Sequence, residues 1–184
     1  MALGIVSRLR SWFGSQPPLT DGGTAAATDA PDLNVDDDVL LDGVGLPAFV
    51  LDETGRVAAW NSGVASLTGT TAHAALGHRN LGDLFYDTPS KDVLAKTVLD
   101  NPKTADDVDG VELDDAARLL YAEEETFADA RGVDCHARHT AMPLYEDDEL
   151  VGVLQTVRNR TEAVERHREV ATLVDEVETT LTEL

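Results

Sequence analysis

LPAFVLDETGRVAAWN, residues 46–61, contains two short apolar runs on either side of an acidic turn. Gly55 lies in this turn, and glycine adopts a positive φ at little steric cost. The stretch therefore predicts a β-hairpin that closes at Gly55. Asn61 at its end can hold the next turn through its side-chain amide. Ser62 to Thr68, followed by Gly69, predicts a short helix that ends at the glycine.

Three segments further along the chain have the character of antiparallel strands. Glu123 to Ala130 places Phe127 on an inner face, and Val133 to Met142 alternates small or apolar residues with polar ones. Leu150 to Thr161 is the last of the three. Together with the hairpin and the helices between, they predict an α+β fold with a five-stranded antiparallel sheet and helices over one face.

One longer helix is predicted between the hairpin and these strands. Ser90 can cap a helix over Lys91 to Leu99, whose apolar positions would face the core. Asn101-Pro102 ends this helix, because proline cannot continue it. Thr104 to Asp115 is acidic and is predicted to be a loop.

The order and spacing of these segments resemble a PAS sensor domain over residues 40 to 161. The hairpin, Trp60-Asn61, the short helix and His73-Ala-Ala-Leu-Gly77 resemble its beginning. LVGVLQTVRNRT, residues 150–161, resembles the last PAS strand and its exit, with Asn159 in the place of an aspartate. The alternative is an unrelated small α+β domain. The resemblance implies a sensory module with a ligand pocket on the inner face of the sheet.

Composition divides the chain into four segments. Residues 1–13 are a short amphipathic segment, which is either an anchor on a membrane or partner or a frayed terminus. Residues 14–38 are predicted to be a disordered linker, because they have too little apolar content to offset the ordering entropy. The resemblance assigns residues 39–160 to the PAS domain, and residues 161–184 are predicted to be a signalling and dimerisation helix.

The chain is strongly acidic, with 35 acidic residues against 14 basic ones and a net charge of -21. Such a charge repels nucleic acid and anionic membrane, so neither is an expected partner, and membrane contact is expected at most through residues 1–13. The scarcity of lysine favours a halophile over an ordinary acidic protein. Cys135 is the only cysteine, and the sequence contains neither a transmembrane run nor a signal peptide, which predicts a cytoplasmic protein.

A ligand pocket is predicted on the inner face. Cys135 and His139 share the apolar face of one strand, where His139 is either a core residue or a cofactor ligand. The buried amide of Gln155 needs partners, which a ligand or a second polar group could supply. The pocket candidates are Phe49, Leu51, Asn61, Phe127, Cys135, His139, Val153, Gln155 and Val157. No metal site is predicted, because His136 and His139, at short spacing, point to opposite faces.

The resemblance argues against two cofactors. The helical region has no cysteine for the covalent flavin of light-oxygen-voltage domains, and Val157 stands where those domains carry a glutamine. Lys91 to Leu99 has no histidine for haem held from the long helix. Non-covalent flavin, a small metabolite and no ligand remain, so the cofactor is unknown.

The C-terminal segment has a heptad pattern that predicts a parallel two-helix coiled coil and a homodimer. Its seam is Val170, Val174, Val177, Leu181 and Leu184. A helix packed on its own domain is the alternative. Because the seam is unfinished at Leu184, we expect a longer protein or a further module. Asn159 and Thr161 are the predicted signal relay, with Thr161 as helix N-cap. The resemblance to PAS domains implies that Asn159 bonds the hairpin or Arg56, and the alternative is that both residues only cap the helix.

The sequence therefore predicts a sensory PAS module of a haloarchaeal methyl-accepting, Htr-like transducer, which passes ligand or redox state to a downstream signalling domain. The PAS domain of a histidine kinase is a close variant. A ligand-free PAS module for dimerisation is an alternative from another class. An enzyme is not expected, because the chain has no phosphate-binding glycine loop and no recognisable nucleophile.

Overall fold

The computed structural model describes the backbone of residues 37–86 and 91–182, and the side chains of residues 39–86 and 91–174. The amphipathic segment 1–13 lies outside the described residues, as does the linker 14–38 up to residue 36. In the described part of the chain, no helix combines the length and the apolar composition needed to cross a bilayer.

The centre of the fold is a six-stranded antiparallel sheet. The strands are β1 (Ala48–Asp52), β2 (Val57–Trp60), β3 (Glu112–Asp115), β4 (Leu120–Ala128), β5 (Asp134–Glu146) and β6 (Glu149–Asn159). Their order in the sheet is β2-β1-β6-β5-β4-β3, so the first hairpin pairs with the last strand. The predicted α+β class with an antiparallel sheet is confirmed, but the predicted count of five strands is wrong.

The additional strand is β3, which lies inside the predicted loop 104–115. It pairs with β4 through Glu112 opposite Ala122 and Leu113 opposite Tyr121. Its side chains are mostly exposed, and an exposed edge strand needs no alternation of apolar residues. The acidic sequence ELDD therefore carried no strand signal, and only the pairing with β4 makes it a strand.

Two of the hairpins show how local turn chemistry closes the strand pairs. In the first, Gly55 has φ 77°, and the Asp52 carboxylate accepts from the backbone N–H of Thr54 and of Arg56 at 2.8 and 2.9 Å. Between β5 and β6, Asp147 and Asp148 have φ 48° and 66°. Two successive positive φ values give the turn that matches the twist of an antiparallel pair.

In the described part of the chain, one helix precedes β1, four fill the long connection from β2 to β3, and one follows β6. They are α1 (Asp37–Asp42), α2 (Ser62–Thr68), α3 (Ala72–Ala75), α4 (Gly82–Phe85), α5 (Leu94–Asp100) and α6 (Thr161–Thr182), with a 3₁₀ turn at Ala105–Asp107. The prediction for α2 is confirmed in both bounds, and Gly69 ends it with φ 74°. For α5, Val93 precedes the first turn without a side-chain cap. The predicted cap, Ser90, lies outside the described residues.

The core has two parts, one on each face of the sheet. The larger part lies between the sheet and the helices and includes Phe49, Leu51 and Trp60. The smaller part contains Val50, which points to the other face because side chains alternate along a strand. Leu41 of α1 packs against this second cluster. The sequence predicted that all helices cover one face of the sheet, and this prediction is wrong for α1. Helix α1 covers the opposite face, through Leu41.

Candidate functional site

The predicted pocket residues other than Asn61 lie together on the inner face of the sheet, and all are buried. Phe85, on α4, lies in the middle of their aromatic side chains. Its ring centre is 5.6 Å from that of Phe49, 6.1 Å from that of Phe127 and 6.3 Å from that of His139. Sequence analysis did not single out Phe85, although its place at the end of a short apolar helix was visible. Protein rings thus occupy the centre of the inner face.

His139 and Gln155 form a buried polar chain that ends on helix α5. The backbone N–H of Ala95 donates to Gln155 Oε1 at 2.6 Å, which fixes the orientation of the amide. Gln155 Nε2 lies 2.9 Å from His139 Nδ1. An amide nitrogen can only donate, so Nδ1 accepts and the neutral ring carries its proton on Nε2. The sequence left open whether a ligand or a second polar group bonds the Gln155 amide. In the structure the protein supplies both partners, His139 and the backbone of Ala95.

His139 is neutral at ordinary pH. Its side chain is 0% exposed, and burial lowers its pKa to about 4, with a further lowering from the positive charge of Lys91. Burial disfavours the charged form of an imidazole, because the protein interior solvates ions poorly. In the described structure, His139 Nε2 has no hydrogen-bond partner. An unpaired buried polar group is costly and asks for an explanation.

Two carboxylates of β4 face this nitrogen. Glu123 and Glu125 lie an even number of residues from Tyr121 and Phe127 along the strand, so their side chains point to the same inner face. Both are partly buried. Glu125 Oε2 is 4.0 Å from His139 Nε2, and Glu123 lies opposite His139 in the strand pairing. Burial raises the pKa of Glu123, and Lys91 offsets part of that rise. Sequence analysis placed Phe127 inward, and a count back in steps of two would have found both acids.

Tyr86 and Lys91 hold Glu125 from the helical side. The Tyr86 hydroxyl donates to the Glu125 carboxylate, and the Lys91 ammonium forms an ion pair with it. Lys91 Nζ also lies 4.4 Å from the centre of the Tyr86 ring, within the range of a cation–π contact. Burial, and next the charge of Glu123, raise the pKa of Tyr86, so its hydroxyl stays protonated.

An open cleft of about 480 Å³ borders the residues that hold this group. It is lined by α4 and by the end of β4, and both Tyr86 and Lys91 form part of its wall. These two side chains also contact Glu125, so they lie between the cleft and the polar group.

Asn61 is buried, but its side chain is used by the backbone. Its Oδ1 accepts from the N–H groups of Ala48 and Val64, both at 2.9 Å. Its Nδ2 donates to the carbonyls of Leu41 and Leu46 at 3.1 and 2.8 Å. The amide therefore ties helix α1, strand β1 and helix α2 together, and its hydrogen-bonding groups are filled by the protein.

Cys135 lies on the same inner face, near the start of α6. It is the one free thiol of the chain and is buried. Burial raises the pKa of the thiol, while a hydrogen bond to Thr161 acts in the opposite direction. A protonated, buried thiol is a poor nucleophile and packs as a small apolar residue.

The predicted relay residues hold the joint between β6 and α6, with partners different from those predicted. Asn159 Oδ1 accepts from the N–H of Thr161 at 2.8 Å, rather than bonding the hairpin or Arg56. Thr161 is the first residue of the helix, and its hydroxyl accepts from the N–H of His136 on β5 at 3.0 Å, so it does not cap its own helix. The N–H of Arg160 donates to the carbonyl of His136 at 2.7 Å. The joint is therefore fastened to β5.

The predicted dimer seam is described for its first part. Val170 and Val174 are 59% and 50% exposed, and Leu173 beside them is 60% exposed. These apolar side chains have little cover from their own domain. The side chains of Val177 and Leu181, and the whole of Leu184, lie outside the described residues.

Comparisons with known proteins agree with the resemblance found in the sequence. The chain is 30% identical over 145 residues to halobacterial transducer protein 9 of Halobacterium salinarum, a match that covers 78% of this chain and 30% of the transducer. The PAS domain of BvgS from Bordetella pertussis superposes with a TM-score of 0.51 at 23% identity, over 76% of this chain and 94% of that domain.

A second similar structure is the PAS domain of an HTR-like protein from Haloarcula marismortui, with a TM-score of 0.45 and 16% identity. It covers 66% of this chain and 87% of that one. No protein-family model matches the sequence.

Proposed function

We propose that this chain, which has a PAS fold and resembles part of a halobacterial transducer, is the sensory input module of a cytoplasmic, taxis-type haloarchaeal transducer. In this role, a ligand or redox change at the inner face of the sheet alters a downstream signalling domain through α6. The chain spans about 30% of the length of the curated relative, so the output activity and the partners are part of the proposal. That the chain has no enzymatic activity remains a prediction from its sequence.

One observation carries the proposal: β6 holds the buried Gln155 and continues directly into α6. The joint is tied to β5 by two hydrogen bonds at His136, one from Arg160 and one to Thr161. His139, the partner of Gln155, lies on β5 as well. Both strands that hold the polar chain therefore also hold the start of the helix. A small shift of one strand against the other changes the direction of α6, and a coupling of about 1–3 kcal/mol is typical for such a link.

The test is the signalling output of the full-length receptor with Asn159→Ala. The variant removes the acceptor for the N–H of Thr161 but leaves both hydrogen bonds to His136 in place. We expect altered output, measured as kinase activity or swimming reversals, with unchanged folding by circular dichroism. Arg158→Ala is the matched control, because Arg158 is an exposed neighbour on β6, and its output should equal that of the wild type. Normal output from a folded Asn159→Ala receptor would falsify the relay.

A ligand-free interaction module is the second candidate. The observation that favours it is the packing of Phe85 against Phe49, Phe127 and His139, which fills the centre of the inner face with protein. Absorbance of the purified protein detects a chromophore, and native mass spectrometry detects a colourless ligand. A bound small molecule in either measurement supports the sensor, whereas a bare chain supports the interaction module. The PAS domain of a histidine kinase is distinguished by the activity of the downstream domain.

A further inference from the structure

We propose that Glu123, Glu125 and His139 form a binding site for one divalent transition-metal ion, such as Zn²⁺, Fe²⁺ or Co²⁺. Their ligand atoms all lie within 4.8 Å of one another. One imidazole nitrogen and two carboxylate oxygens form a mixed donor set that suits these ions rather than Ca²⁺ or Mg²⁺, which prefer oxygen alone. The three residues come from two neighbouring strands of the sheet, which hold their Cα atoms rigidly.

The histidine distinguishes this group from an ordinary cluster of acidic residues. His139 is 0% exposed, and Nε2 faces the carboxylate of Glu125 at 4.0 Å without a hydrogen bond in the described structure. Leaving such a nitrogen unpaired costs free energy. An ion between this nitrogen and the two carboxylates satisfies all three groups together. Bond lengths of about 2.0–2.2 Å to nitrogen and oxygen require the two glutamate carboxylates to move closer to the imidazole nitrogen.

The surroundings already contain a supporting contact of the kind that metal sites need, because the Tyr86 hydroxyl donates to Glu125. Gln155 lies next to His139 Nδ1 and can support the ring of His139 once its amide has turned. Such partners hold ligating groups in place and are part of a functioning site. The cleft walled by Tyr86 and Lys91 lies beside the site, and an ion would enter from it once the Lys91 side chain turns to solvent.

Lys91 is the counter-ion that a metal would replace. Its ammonium neutralises one of the two carboxylates, and its side chain is 48% exposed, so it can turn to solvent when a dication arrives. The exchange places two positive charges against two negative ones, where the single ammonium leaves one negative charge uncompensated. Lys91→Gln should therefore tighten metal binding rather than weaken it.

Binding at Nε2 also changes the hydrogen bond on the other side of the ring. A metal on Nε2 leaves the imidazole proton on Nδ1, which must then donate. Gln155 at present offers Nε2, also a donor, to that atom. The amide has to turn so that Oε1 accepts from Nδ1, and this breaks the 2.6 Å hydrogen bond from Ala95. Metal loading is thereby coupled to the start of helix α5.

The idea that the metal is the signal sensed by the module rests on the proposed function. The idea that the chain binds a metal is independent of that function. Binding is measured on the purified chain, and the relay is measured from receptor output, so either can fail without the other.

The experiment is a Co²⁺ titration of the chelator-treated full chain in molar KCl, followed by visible absorbance, with Zn²⁺ as competitor. High salt shortens the Debye length to about 3 Å and suppresses loose binding to the acidic surface. We expect one ion per chain with absorption bands of a mixed nitrogen and oxygen site. Glu123→Gln and Glu125→Gln keep the side-chain volume and should each weaken binding by at least about tenfold.

Glu124→Gln is the matched control, because Glu124 lies on the same strand but on the exposed face, bonded to Arg138 and Arg160. It should bind Co²⁺ as the wild type does. The proposal is overturned if the wild type shows no saturable binding. It is also overturned if Glu124→Gln loses as much affinity as Glu123→Gln and Glu125→Gln do. A folded His139→Gln chain that keeps wild-type affinity and spectrum also overturns it.

Discussion

A single asparagine connects three elements of the fold. Asn61 offers two donors and accepts twice, and all four hydrogen bonds go to backbone groups of other segments or of the helix that begins beside it. The N–H of Ala48 is buried and depends on this amide. At this scale the chemistry is local: a side chain that caps α2 also orders the entry to the sheet.

Asn61→Ala should lower the free energy of unfolding by about 2–4 kcal/mol. Loss of the helix cap costs about 1 kcal/mol, and the buried N–H of Ala48, left unpaired, costs about 1–3 kcal/mol more. Urea unfolding followed by circular dichroism measures the change. Asn101→Ala is the control, since the side-chain hydrogen bond of Asn101 to the Thr97 carbonyl is long, at 3.4 Å, and exposed. Equal stability of the Asn61 variant and the wild type would contradict this role.

The helix α6 is the element that leads the chain away from the sheet. Its start is fixed to β5 through Thr161, while Val170, Leu173 and Val174 expose apolar surface further along. These three positions lie close together around the helix, because a turn takes about 3.6 residues. Full burial of one such side chain contributes about 1.5–3 kcal/mol, so a parallel partner helix would gain stability from this stripe.

Val174→Asp should convert the expected dimer into a monomer, because it places a charge in the seam between two helices. Sedimentation at tens of micromolar chain in molar KCl measures the mass. Thr172→Asp adds the same charge on the opposite side of the helix and should leave the dimer intact. A wild type that sediments as a monomer under these conditions would show that the stripe is not a dimer seam.

The whole molecule is dominated by negative charge. The net charge of -21 is spread over the chain, and like charges on a compact surface repel one another unless salt screens them. Several of the acids are exposed, such as Asp106 and Asp107 in the 3₁₀ turn and Asp109 just after it. The folded state of such a protein is expected to depend on the high ionic strength of a halophile's cytoplasm.

The melting temperature should therefore rise steeply between low and molar KCl, as measured by circular dichroism. A variant with Asp106→Asn, Asp107→Asn and Asp109→Asn carries less repulsion and should show a smaller rise. If the melting temperature of the wild type is the same at all salt concentrations, its acidic surface does not require screening, and the halophilic interpretation is wrong.

The features that depend on short-range chemistry could be predicted from the amino-acid sequence without a structure. The hairpin at Gly55, helix α2 between Asn61 and Gly69, and the inward position of His139 all result from turn residues or from a period of two, which act over a few residues. Such patterns can be recognised without knowing what packs on them. The antiparallel α+β layout was predicted from the same patterns in order.

Three other features became visible only once the elements were packed together: the strand β3, the fastening of Thr161 to β5, and the group of Glu123, Glu125 and His139. The strand β3 is acidic and exposed, so only its partner β4 makes it a strand. The other two depend on cross-strand register, which brings together residues far apart in the chain. The approach of Tyr86 and Lys91 from the helical layer completes the group. These contacts are set by how whole elements pack, and no local pattern in the sequence encodes the distance between them.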